Sequence, residues 1–230
     1  MPFFYYYDPI YILVLIAFAL SMFASFGVNA TFSKYKKVRS GRGITGADAA
    51  RRILDGNGLH NVRVEHIQGN LNDHFDPKAN VIRLSDATYA DSSVAAIGVA
   101  AHEAGHAVQH ATGYLPIKVR NSIVPVVNLS TSLSMPLFFI GLLLGYAGLT
   151  MLGVILFSAS LIFQLVTLPV EFNASGRAIK ILDTSGLLEG DELRGAKKVL
   201  RAAGLTYVAA AAASALQLLR LLIIANRRRD

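Results

Sequence analysis

The chain has no cysteine among its 230 residues. That excludes disulfides and any thiolate metal site, and it fits a reducing, cytoplasmic face. Charge is scarce too. Only 16% of residues are charged against 53% hydrophobic, whereas a soluble domain carries about 25% charged residues. The scarcity is uneven: Pro9–Ser33 and Asn121–Val170 contain no charged residue at all. No Lys or Arg precedes the first run, so the start lacks the basic region of a secretory signal peptide.

These absences leave a membrane protein. A crossing helix needs about 20 apolar residues, and 9–33 supplies one uncleaved anchor. The tyrosines of "MPFFYYYDP" suit the membrane interface. The second run is too long for one crossing but suits two helices and a tight turn at "GYAG", Gly145–Gly148. The reading is a transmembrane hairpin over 121–170, with helices Ile123–Leu144 and Leu149–Leu168. Pro125 and Pro136, with several Ser, Thr and Asn, suit a first helix that faces protein or a cavity.

Basic residues set the orientation. Lys34, Lys36, Lys37, Arg39 and Arg42 crowd the exit of the anchor. The positive-inside rule therefore puts the N-terminus outside and the chain from Lys34 onward in the cytoplasm. The net charge of +7 comes with no nucleic-acid motif. It is read as a juxtamembrane cluster meeting anionic lipid, so no nucleic-acid partner is expected.

Between the apolar runs the pattern is mixed. Thr45 and Asp48 have capping-box spacing, which starts a helix over Ala47–Leu54. "VRVEHI" (Val62–Ile67) and "VIRL" (Val81–Leu84) read as strands, with "DPKAN" (Asp76–Asn80) as a turn. A helix capped at Asp91, Ser92 or Ser93 follows and ends near Gly113 and Pro116. Past the hairpin, Pro169 opens a helix to about Leu182, and Asp191–Ala203 forms an amphipathic one. Leu205–Ala225 is either a fourth crossing or a buried or interfacial helix. The charge rule favours the second, since a crossing would export the arginines of "NRRRD".

The stretch "AAHEAGHAVQH" (Ala100–His110) places three histidines and a glutamate in a small, apolar helix. "HEAGH", His102–His106, matches H-E-x-x-H. Residues four apart share a helix face, so two imidazoles there can grip one Zn²⁺ at about 2.0–2.1 Å. Glu103 is offset around the helix. It is placed to take a proton from water rather than to bind metal, and is read as the catalytic base. The plain alternative is a helix with two chance histidines. His110 lies two further turns from His102, about 12 Å along a straight helix, and cannot share the metal. A catalytic zinc needs a third ligand. Among the later acids Glu171 stands out, because it follows "TLPV" where the hairpin leaves the membrane. The two crossings of the hairpin return it to the side that carries His102. Asp183, Glu189, Asp191 and Glu192 read as solvated surface.

"AAHEAGHAVQH", "LPVEFNASGRA" and "GLTYVAAAAASALQLLRLL" resemble the neutral zinc metallopeptidases of the YugP type over essentially the whole chain. "EFNASGRA" also looks like the third-ligand motif of the HtpX and CAAX-prenyl protease group. There the glutamate binds zinc, and an aspartate four residues on supports a histidine. The resemblance assigns the glutamate role to Glu171. The later position here is Ser175, so Asn173 or Ser175 is the candidate to orient His102 or His106. The resemblance implies peptide-bond hydrolysis. "VIRL" is either an edge for binding substrate as an added strand or an ordinary strand covering the helix. Tyr207, Arg177, His74 and His110 are unranked candidates to donate to a developing oxyanion.

The expected fold is a mainly α membrane protein, with a zincin-like metallopeptidase domain and a small β element fused to transmembrane helices. The zinc domain would occupy 34–120 and 171–230. The expected function is a multi-pass cell-membrane zinc endopeptidase, active on the cytoplasmic side. His102, His106 and Glu171 would hold Zn²⁺ against a peptide or protein substrate, membrane-associated ones included, beside the lipid bilayer. The alternative is a non-proteolytic scaffold with a structural or inactive zinc site, although such a site has no use for Glu103. A metal transporter fits worse, because the apolar runs contain no His, Asp or Glu.

Overall fold

The structure, a computed structural model, describes residues 10–227. The tyrosines read as an interface belt and the last residues of "NRRRD" lie outside the described residues. The elements in order are α1 (Ile10–Lys36), α2 (Gly46–Gly56), β1 (Arg63–Ile67), β2 (His74–Asp76), β3 (Val81–Ser85), α3 (Val94–Ala111), α4 (Leu115–Leu143), α5 (Ala147–Thr184) and α6 (Gly190–Asn226). The chain is mainly helical with one small sheet, as the sequence implied. Contacts divide it into two compact units.

One unit takes in α1 up to Ala24, Val119–Leu168 and α6 from Thr206. Its core is Phe138, Val154, Leu221 and Ala225. The α4–α5 pair closes at Gly153, where a Cβ would meet the Phe138 nitrogen at 2.6 Å and the Ser134 oxygen at 2.7 Å. Small residues allow such close approach between apolar helices. Gly145, at φ +67°, makes the turn between them. Four helices, α1, α4, α5 and α6, are long and apolar enough to cross a membrane.

The other unit comprises Ser25–Lys118 and Pro169–Leu205. The capping box at Thr45 is present: Asp48 N–H donates to the Thr45 hydroxyl, and Thr45 N–H to the Asp48 carboxylate. The sheet runs β1-β3-β2, with β1 parallel and β2 antiparallel to β3. Asp76 shapes the β2–β3 turn by accepting from Lys78 and Ala79 N–H. Ile82 and Leu84 join Ile53, Leu54, Ile97 and Leu182 in the core. Arg83, of opposite parity on the strand, reaches Asp76 on β2 at 3.1 Å.

Four expectations change. "VIRL" is the central strand, paired on both sides, so it offers no free edge; β2 does. α4 starts at Leu115 rather than near Ile123, because Pro116 suits a first turn whose N–H groups have no helical partner anyway. α5 runs unbroken through Pro169. A proline removes one helical hydrogen bond, whereas a full break beside the bilayer strands several backbone groups. α6 is likewise one helix. Gly204 is not a stop: a Cβ there would meet the Phe172 ring at 3.0 Å.

Candidate metal centre

Ser93 caps α3 by accepting from Ala96 N–H, and Ala95, Ala96, Ala100, Ala101 and Ala104 that follow are fully buried. At Gly105 the backbone of α5 comes close, so that a Cβ would lie 2.7 Å from the Ala174 carbonyl oxygen. This contact sets the face carrying His102 and His106 beside the turn carrying Glu171. The two imidazole rings are 4.7 Å apart, edge to face. Glu171 is 3% exposed.

Three donor atoms converge. His102 Nε2 lies 3.2 Å from Glu171 Oε2 and 3.2 Å from His106 Nε2. His106 Nε2 lies 3.5 Å from the same Glu171 oxygen. Among the described residues this is the group of His, Asp and Glu that can hold a metal ion. The triangle has a chemical meaning. Ligands about 2.05 Å from a tetrahedral zinc stand about 3.3 Å from each other. The three edges match that spacing, and two imidazoles with one carboxylate are a common catalytic zinc set.

The groups behind these donor atoms are also in place. His102 Nδ1 is 3.1 Å from Ser175 Oγ, and His106 Nδ1 is 3.0 Å from Gln109 Oε1. Gln109 is fully buried and donates to the Val170 carbonyl and to Asn173 Oδ1. Of the two candidates to orient the histidines, Ser175 therefore touches His102 directly, while Asn173 reaches His106 through Gln109. Gln109 escaped the sequence reading. Its one signal was its place three residues after His106, on the same helix face.

Burial alone would lower the pKa of His106 and raise that of Glu171. Burial is the largest single effect on each, but the surrounding hydrogen bonds and charges together outweigh it. His106 shifts up, helped by the Glu103 and Glu171 charges, and Glu171 falls well below the usual carboxylate range under both imidazoles. The pocket thus favours Glu171 as an anionic carboxylate.

Glu103 stays out of the triangle. It is 8% exposed, and its Oε2 accepts from Phe75 N–H at 3.0 Å. That donor is a backbone group on edge strand β2, which no side-chain pattern announces. His110 also lies outside the triangle, on the surface, with its ring against Phe75 at 5.9 Å. His74 contacts the Asn72 carbonyl and Arg83. Arg177 donates to Asn173 and lies over the Tyr114 ring. Tyr207 lies on α6. Glu189 and Glu192 make surface contacts with Arg42 and with Gly41 N–H.

The family model described as "Putative neutral zinc metallopeptidase" matches residues 10–226. The "Putative membrane protease YugP" of Bacillus subtilis (strain 168) is 50% identical over 218 residues, covering 95% of this chain and 97% of that protein. No solved structure matches. With agreement over nearly its whole length, the chain belongs to the neutral zinc metallopeptidase family.

Proposed function

We propose that this protein is an integral membrane zinc endopeptidase in which His102, His106 and Glu171 hold Zn²⁺ and Glu103 is the general base. The observation that carries the reading is the triangle of Nε2, Nε2 and Oε2 atoms at zinc-ligand spacing, with a fourth charged group held just outside it. A Zn²⁺ held by His102, His106 and Glu171 would supply polarisation of a substrate carbonyl and a lowered pKa of water. Glu103 then takes the proton from the attacking water and delivers it to the leaving amine. Phe75 N–H holds one of its carboxylate oxygens and so keeps the base aimed. A structural zinc site needs no such base, which disfavours the scaffold reading.

In this proposal the zinc-bearing unit is cytoplasmic and the substrate is a peptide or protein segment at the membrane surface. The N-terminus is outside, the α4–α5 hairpin turns outside, and α6 makes a fourth crossing in preference to the non-spanning helix that the charge rule alone favours. Its length supports the crossing: 37 residues span about 55 Å at about 1.5 Å each. Its last part packs with α4 and α5 in one core.

The test compares wild type with Glu103→Gln in the same membranes by proteomics and by zinc content. The variant should keep its zinc and lose activity by roughly 10²–10⁴-fold, the usual worth of a general base. Cleavage products should accumulate with the wild type alone. Wild-type activity in Glu103→Gln would overturn the mechanism.

A further inference from the structure

The two histidines of the triangle are supported by partners of different kinds. Ser175 offers His102 a hydroxyl, which can donate or accept. It therefore does not dictate which nitrogen of His102 carries the proton. Gln109 leaves no such freedom at His106. The Val170 carbonyl can only accept, so the Gln109 atom facing it at 2.8 Å must be the amide nitrogen. The other Gln109 atom, Oε1, then faces His106 Nδ1, and an oxygen there requires an N–H on the ring. His106 Nε2 is left with its lone pair, turned into the triangle.

The far end of the chain gives the same polarity independently. Arg177 Nε can only donate, so the Asn173 atom it meets at 2.8 Å is the oxygen. That oxygen also accepts the second N–H of Gln109, at 2.9 Å. Arg177 is itself seated over the Tyr114 ring, 5.8 Å from its centroid. Every donor of the Gln109 amide is used, and the residue has no exposed surface. Turning the amide over would set its oxygen against two acceptors, one buried and one partly buried, where an unmade hydrogen bond is costly.

We infer that Gln109 and Asn173, locked between the Val170 carbonyl and the Arg177 guanidinium, are positioning residues that hold His106 as the Nδ1–H tautomer with Nε2 ready for metal. This rests on the proposed metal site and adds an order within it. His106 is the preset ligand, and His102 adjusts. Supporting residues of this kind typically change metal affinity by about 10–100-fold.

The test uses the full-length protein in detergent and reads zinc affinity by competition with a chelating dye. It also reads the ring nitrogen shifts of His106 in zinc-free protein, at alkaline pH where the ring is neutral. Gln109→Met should weaken zinc by about 10–100-fold, and Arg177→Met should weaken it in the same direction. Ser175→Ala should cost less than either. Zinc-free wild type should show His106 as the Nδ1–H form, and Gln109→Met should show a mixture. Should the buried Gln109 variant fail to fold, the partly exposed Arg177→Met carries the test. Unchanged zinc affinity in the folded variants, a larger loss in Ser175→Ala, or an Nε2–H ring in the wild type would overturn the inference. His106→Ala separates the two levels. If it keeps wild-type zinc affinity, the metal site itself is wrong. If it loses zinc while the Gln109 and Arg177 variants keep theirs, only the positioning chain is wrong.

Discussion

The backbone N–H of Phe75 donates to Glu103 Oε2 at 3.0 Å, joining edge strand β2 to the helix that carries the histidines. The N–H is turned away from the β2–β3 ladder. Proline is tolerated at an edge position of this kind, so Phe75→Pro deletes the donor while sparing the sheet. Phe75→Ala deletes the ring and keeps the donor. A hydrogen bond to a charged group contributes about 1.5–3 kcal/mol, and each 1.36 kcal/mol in the barrier is about tenfold in rate. Phe75→Pro should therefore lower kcat by about 10–100-fold with zinc content unchanged, and Phe75→Ala should keep more of it. Equal kcat in Phe75→Pro and wild type would show that Glu103 does not depend on this contact.

Glu171→Gln and His110→Ala distinguish a ligand from a bystander. Glu171 meets both imidazoles, whereas His110 stacks on Phe75 outside the triangle. A capping role for Glu171 has no helix start to serve, because α5 is continuous through Pro169. Removing one of three protein ligands should strip zinc or weaken it severely, with loss of activity. Zinc per chain should fall in Glu171→Gln and persist in His110→Ala. The reverse pattern would overturn the ligand set.

Much of this was legible in the sequence because the signals were local. Thr45 and Asp48 announced a cap, "HEAGH" a helix face, and the uncharged run a hairpin returning Glu171 to the side of His102. What was not legible depended on the neighbour of each residue. Pro169 and Gly204 read as breaks because both oppose helix locally. In the fold, Pro169 costs α5 only one hydrogen bond, and Gly204 makes room for the Phe172 ring. "VIRL" was open between an edge and a covering strand because a short strand does not reveal how many partners it has; it is the central one. Gln109 passed unnoticed beside His110, since a charged-looking neighbour draws attention that a buried amide does not. The Phe75 donor has no side-chain signature at all.

Membrane topology can be tested by cysteine labelling, because the native chain has no cysteine to interfere. Lys37 and Ser185 are exposed positions in the zinc-bearing unit, whereas Ser40 is buried and unsuited to labelling. Cysteines at Lys37 and Ser185 should be shielded from an impermeant reagent added to intact cells. Cysteines at Tyr146, in the hairpin turn, and at Asn226, at the end of α6, should both react. Reaction at Tyr146 with shielding at Asn226 would mean that α6 does not cross. Labelling of Lys37 and Ser185 on opposite sides would sink the proposed topology.

Gly105 and Gly98 lie two turns apart on α3 and should respond oppositely to the same change. At Gly98 an added Cβ would sit 3.5 Å from the Ala196 Cβ, an ordinary van der Waals contact. Alanine there should gain about 0.8–1.0 kcal/mol of helix propensity over glycine, so Gly98→Ala should melt at a higher temperature and bind zinc normally. At Gly105 the Cβ would meet Ala174 backbone atoms, with the oxygen at 2.7 Å and the carbonyl carbon at 3.3 Å. A backbone cannot swing aside as a side chain can, and overpacking of this kind costs about 1–3 kcal/mol. Relief requires α5 to move away from α3. Ala174 lies between Glu171 and Ser175, so that movement carries both away from His102 and opens the triangle. Gly105→Ala should therefore lose zinc affinity as well as thermal stability, and excess zinc should restore part of the stability by mass action. Normal zinc affinity in Gly105→Ala would show that the approach of the two helices does not set the ligand spacing.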